Sequence, residues 1–247
     1  MHIQELSLNI RHVANQKAFY STTLGLSLLT ETTDSFTVQA GTTRLRFQET
    51  QQDVLYHVAF TIPRNTFHEA KSWTQKRVPL LQKNGEDEIF FANLNARSFY
   101  FCDTTGNILE FIVHYGLNHE TEGPFGAASV LHVSEIGLPV EDVPAFADLL
   151  QKQFTIEPYG GSISEEFAFM GDISGQLVVV KIGRPWLPTD DVLSIVSPVQ
   201  ITIKGQQERR VQLSSFPYTV AALQKTAQKA PSLESGDEWA LLIWGWG

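Results

Sequence analysis

NARSFYFCDTTGNILEFIVHY, residues 95–115, reads as two runs of alternating aromatic, β-branched and polar residues around Asp103, Thr104, Thr105, Gly106 and Asn107. Aspartate, glycine and asparagine supply the backbone freedom and local hydrogen bonds of a tight reversal, so the segment predicts a β-hairpin. On the returning strand Glu110 shares a face with Ile108, Ile112 and His114, while Leu109 and Phe111 point the other way. A carboxylate on an apolar strand face must be ligated, ion-paired or protonated, because burying it bare costs roughly several kcal/mol. His114 lies about 13 Å further along the strand, which makes it a rim residue or a substrate contact rather than part of the same centre.

Outward from the hairpin, the chain repeats itself. Residues 3–10 alternate, with Leu6, Leu8 and Ile10 on one face and Glu5, Ser7 and Asn9 on the other, and predict a half-buried strand. Helical spacing follows over 13–24, then strands at 26–31, 35–39 and 43–48. The same β-α-β-β-β order recurs as a strand at 54–62, a helix at 66–77 and strands at 90–92, 98–102 and 108–113. A third copy has a strand at 133–140, a helix at 143–153 and strands near 154–157, 166–170 and 176–182. In the second copy Tyr56, Val58, Phe60 and Ile62 form the expected covered face, leaving His57, Ala59 and Thr61 opposite. Repetition of this kind sets the architecture before any motif does. The polar stretch 118–128 predicts a linker between a first domain, 1–117, made of modules at about 1–50 and 53–115, and a second, 129–247. That second domain ends in strands at 199–203 and 210–213, a helix at 218–229 and a strand at 239–244, a degenerate or reordered fourth module.

Composition narrows the classes. A net charge of −9 with no local Lys/Arg cluster argues against a nucleic-acid partner. No apolar run approaches the roughly 18 residues of a membrane span, and the opening residues lack a leader pattern, so a soluble cytoplasmic protein is expected. Cys102 is the single cysteine, which excludes internal disulfides and thiolate clusters and fits a reducing compartment. It lies in an apolar strand with no base nearby in sequence, so a buried structural thiol is expected rather than a nucleophile.

AFYSTTLGL at 18–26, HVAFTI at 57–62 and above all YFCDTTGNILEF at 100–111 resemble the vicinal oxygen chelate superfamily, the glyoxalase, bleomycin resistance and extradiol dioxygenase group. The likeness covers the first two modules and, more weakly, 129–182. It implies an α+β fold of paired βαβββ modules, curled into open barrel-like sheets with helices outside. It also implies one divalent transition metal (Fe, Mn, Zn, Ni or Co), held by first-strand residues of both paired modules and a last-strand residue. Carried over by position, the ligands are His57 and Glu110 from the second module and Glu5 from the first, where the family more often has His or Gln. Arg46 stands in the slot that four-ligand members fill with Glu. Glu5 and Glu110 are also the implied catalytic carboxylates, and Arg46, Tyr100 and His114 the substrate contacts. The implied activity is lyase, isomerase or dioxygenase chemistry on a small molecule with adjacent oxygens. One imidazole and two carboxylates suit such a metal, although two carboxylates make it a weaker Lewis acid than a His-rich set does.

Plainer readings compete with this one. A strand histidine is ordinarily a hydrogen-bonded core residue, and Tyr100 an ordinary core aromatic. Glu5 and Glu110 could instead face Arg46, turning the cavity into that of a metal-free, small-molecule-sequestering protein of the resistance type. Glu135 repeats the position of Glu5 in the third module, but the last strand there, LVVVKI at 177–182, carries no carboxylate. A second metal site is therefore not expected, and the C-terminal half is assigned to packing, substrate enclosure or homodimer formation, with Trp239, Trp244 and Trp246 covering core.

Overall fold

The computed structural model describes residues 1–205, 208–213 and 216–224. The first module runs β1 (Ile3–Ile10), α1 (Val13–Ala18), β2 (Ser27–Glu31), β3 (Ser35–Ala40) and β4 (Thr43–Glu49), with α1 passing into a π-helical turn at Phe19–Thr23. The second runs β5 (His57–Thr61), α2 (Phe67–Gln75), β6 (Ile89–Phe91), β7 (Ala96–Cys102) and β8 (Ile108–His114). The third has β9 (His132–Val140), α3 (Val143–Phe154), β10 (Phe167–Asp172) and β11 (Gly175–Lys181). The fourth contributes β12 (Val199–Gly205), β13 (Arg209–Leu213) and β14 (Tyr218–Gln224).

One rule generates the topology: the first and last strands of every module are parallel neighbours, β1 with β4, β5 with β8, β9 with β11 and β12 with β14. A parallel pair needs a long crossover, which the intervening helix and strands provide. Two modules then join through their first strands, antiparallel. β1 pairs with β12 and β5 with β9, giving seven-stranded sheets of order β13-β14-β12-β1-β4-β3-β2 and β10-β11-β9-β5-β8-β7-β6. The fold is thus the expected α+β arrangement of curved, mixed sheets from paired modules. The partners differ from the expected ones, however. The first module joins the fourth and the second joins the third, so each sheet draws one half from either side of 118–128.

Other expectations also change. Residues 218–224 are β14, not a helix, because Tyr218, Val220 and Ala222 alternate into the core with a period of two. No strand occupies 154–157; α3 extends to Phe154, and Pro158 makes an isolated bridge to Met170. β5 is buried on both faces, since it lies in the middle of its sheet. The strand expected at 239–244, with Trp239, Trp244 and Trp246, lies outside the described residues.

The main core fills the space between the sheets, with Leu6, Leu8 and Ile201 from one and Val58, Phe60 and Leu138 from the other. Two tyrosines lock the sheets together in the same way. Tyr56 Oη donates to Pro198 O (2.8 Å) and accepts from Asn9 N (3.1 Å), while Tyr218 Oη donates to Pro139 O (2.7 Å). Among the described residues no helix is long and apolar enough to cross a membrane.

Candidate metal centre

The hairpin fixes the position of Glu110. Asp103 Oδ1 accepts from Thr105 N (2.9 Å) and Asn107 N (3.0 Å), and its Oδ2 accepts from Asn107 Nδ2 (2.7 Å) and Tyr20 Oη (3.1 Å). Asn107 Oδ1 in turn accepts from Tyr56 N (2.9 Å), which ties the turn to the start of β5. Gly106 takes φ 88°, where a side chain would be strained. With the turn pinned, β7 and β8 pair Tyr100 opposite Glu110, and β5 and β8 pair Ala59 with Glu110. On the other side of β5, Ala59 pairs with Glu135 of β9, next to a register shift, and Glu135 pairs with Gln176 of β11.

The result is a row across five strands: Tyr100, Glu110, Ala59, Glu135, Gln176. His57 lies two residues before Ala59 on the same face. His57 Nε2 is 3.4 Å from Glu110 Oε2 and 3.7 Å from Glu135 Oε2. All three residues are buried, and one donor atom from each falls within 4.8 Å of the others. Metal–ligand bonds of about 2.0–2.2 Å span gaps of this size.

The electrostatics are unfinished without a cation. Glu110 Oε1 and His57 Nδ1 are buried with no hydrogen-bond partner, as is the neighbouring Ser98 Oγ. Burial, and then the charge of Glu135, push the Glu110 carboxyl well above its ordinary range, while the Ser98 and Tyr100 hydroxyls beside it pull weakly the other way. The Tyr100 hydroxyl is pushed up by burial and by the Glu110 charge, so it stays protonated. As metal ligands, one imidazole and two ionised carboxylates would present a charge of −2, which a divalent ion cancels and a monovalent one does not. The donor set therefore fits such a metal.

Above the row is a cavity of about 200 Å³. His57, Tyr100, Glu110 and Glu135 lie at its floor, and apolar side chains such as Phe91, Leu94 and Phe169 wall it. Trp186 stacks near His57, with ring centroids 5.2 Å apart, and closes one side. The pseudo-symmetry of the modules makes Glu135 the counterpart of His57, Gly137 that of Ala59, and Val178, which pairs with Gly137, that of Glu110. The fourth ligand position thus holds a valine, and the Trp186 ring lies over Gly137 where a Cβ would come within 2.4 Å of it.

The residues expected at the site divide accordingly. His57, Glu110 and Tyr100 come together, and Glu135 completes the group. Glu5 does not join them. It sits on β1 in the other sheet, where its carboxylate lies 3.0 Å from Arg44 Nη2 and is about one-third exposed. Arg46 pairs with Ser7 in that sheet and lines a separate polar cleft with Glu5, Asn9 and Gln200, so the Glu5/Arg46/Glu110 network is not formed. His114 is neither rim nor cavity lining. It is 1% exposed with both ring nitrogens unpartnered, and Thr61 and His132, which pair across β5 and β9, likewise hold buried unpartnered atoms. Burial lowers the His114 pKa and takes that of His132 down to about 4, so both are neutral there. Glu135 was signalled in the sequence by its repeat equivalence to Glu5, but only the pairing of modules gives that equivalence its meaning.

No protein-family model matches the sequence, and no curated protein matches it. Solved structures do. A candidate dioxygenase from Bacillus subtilis superposes over 90% of this chain and 85% of its own, with 14% identity and a TM-score of 0.57. A lactoylglutathione lyase from Agrobacterium tumefaciens aligns with 47% of this chain and 96% of its own at 18% identity and a TM-score of 0.41. A candidate glyoxalase from Bacillus halodurans covers 45% and 94% at 21% identity and 0.36. At these identities the likeness is one of fold, carried by the first of the three, which spans both sheets. The chain has the paired-module fold of the glyoxalase, bleomycin resistance and dioxygenase group.

Proposed function

We propose that this chain is a divalent-metal enzyme of the glyoxalase/dioxygenase group, with one transition metal on His57, Glu110 and Glu135 and a small-molecule substrate that offers it adjacent oxygens. The observation that carries this is the convergence of three buried donors, two of them carboxylates, around unpartnered polar atoms. Held by His57, Glu110 and Glu135, a divalent metal would supply Lewis-acid chemistry toward the substrate oxygens. The protein's own groups do the rest. Tyr100, held protonated beside Glu110, donates a hydrogen bond to a substrate oxygen. The apolar walls exclude water and strengthen every charge interaction within. The valine in the fourth ligand position and the small Ala59 leave the open coordination sites that substrate needs.

Elemental analysis of protein prepared without chelator tests the reading. About one transition metal per chain is expected, and His57→Ala should weaken its binding by more than the roughly 10–100-fold typical of losing a ligand's supporting partner. Wild-type protein that takes up no metal in a calorimetric titration would leave only a metal-free binding function for the cavity.

A further inference from the structure

The wall facing the carboxylates is built from the loop after β11, and it holds donors instead of acceptors. Arg184 lines the cavity with its guanidinium 5.0 Å from the Phe167 ring centre, a cation–π contact that fixes its plane. Among the described residues it pairs with no carboxylate, whereas the neighbouring Lys181 pairs with Glu166 at 3.4 Å. Two residues on, Trp186 is 3% exposed, and its Nε1–H, on a residue lining the same cavity, is buried with no acceptor. A buried N–H without a partner is costly, and the protein gives the Trp186 N–H no acceptor, while the half-buried Arg184 guanidinium on the same lining has no counter-charge among the described residues. Apart from the His57, Glu110 and Glu135 group, the rest of the lining is aromatic and aliphatic.

We infer that Arg184 and Trp186 form an anion-recognising wall, and that the substrate is a largely apolar molecule bearing a carboxylate on the part that meets this wall. The inference rests on the metal reading above for the orientation of the ligand, but the anion preference itself does not need the metal. A neutral ligand of the same shape leaves the buried indole N–H without an acceptor and the half-buried guanidinium without a counter-charge, and discrimination by such groups is large.

Calorimetric titration of the full chain with 3,4-dihydroxybenzoate, its 2,3-isomer and their methyl esters tests this, using Zn²⁺-loaded and metal-free protein in parallel. The wild type should bind at least one acid about tenfold or more tighter than its ester, as a charge-assisted hydrogen bond implies. Arg184→Gln should bring the ratio to near one with an unchanged melting temperature, and Trp186→Phe, which keeps the ring over Gly137 but removes the N–H, should reduce it several-fold. An acid/ester ratio equal in wild type and Arg184→Gln, or no binding of any of the acids, overturns the inference. If the Arg184-dependent ratio persists but Zn²⁺ leaves all affinities unchanged, the anion wall stands and the metal reading fails; the opposite pattern separates them the other way.

Discussion

Ala59 has no functional group, yet the centre is arranged around it. It separates Glu110 from Glu135 in the row, pairing with both, and lies two residues from His57 on the same strand. The carboxylates on either side are not interchangeable with Glu5, despite the repeat. Glu135→Gln should weaken metal binding by an order of magnitude or more, whereas Glu5→Gln, which alters only a partly exposed pair with Arg44, should leave it unchanged; isothermal titration with Zn²⁺ distinguishes the two. Glu110 adds a pH signature. Its folded-state pKa lies above the ordinary 4.5, so the metal-free native chain holds a proton that the unfolded chain releases. The stability gained is complete below that ordinary value and is lost as pH rises toward the raised one, at roughly 1.4 kcal/mol per pH unit. The melting temperature of metal-free protein should therefore fall as pH rises above 4.5, and Glu110→Gln should flatten the fall. A divalent metal should reverse it, because binding takes the deprotonated carboxylate.

At the level of elements, the loop carrying Trp186 is held to β9 by a missing side chain. Gly137→Ala would place a methyl against the indole, so it should destabilise the fold by about 1–3 kcal/mol in a denaturant titration and loosen the cavity wall. This contact joins residues far apart in sequence, which is why no local pattern announced it. Local patterns did announce the hairpin at 103–107, the alternation of β1 and the order of elements in the first two modules; in the third they added a strand at 154–157 that the structure lacks. They failed at 218–224, where two alanines and a leucine suited a helix and only burial on one face of β14 favoured a strand. The site divides on the same line. His57 and Glu110 belong to one module and could be matched from sequence, whereas Glu135 belongs to another, and antiparallel pairing of β5 with β9 is a long-range choice that neither strand encodes alone.

For the molecule as a whole, interleaving means that neither sequence half contains a complete sheet. Residues 1–117 alone expose the edges of β1 and β5 that β12 and β9 cover in the intact chain. That fragment should fail to give a folded monomer, appearing as oligomers or aggregate in size-exclusion chromatography, and co-expression with 118–247 should restore a compact species. A cooperatively folding monomer of 1–117 would contradict the interlocked arrangement. The sister sheet shows what the pairing leaves behind. The positions corresponding to His57, Glu110 and Glu135 are Glu5, Arg46 and Gln200, a set with no neutral nitrogen donor and a cation in place of a ligand.

The pairing of β1 with β12 also sets an order of events during synthesis. β1 is synthesised well before its partner at residues 199–205, so it must wait while both modules of the other sheet are made. The other sheet can close as soon as residue 181 is clear. Domains tend to form as units in the order they appear, and here the sheet that carries His57, Glu110 and Glu135, encoded between β4 and β12, has the means to mature first. The module of β1 to β4 would then settle after the two modules translated behind it.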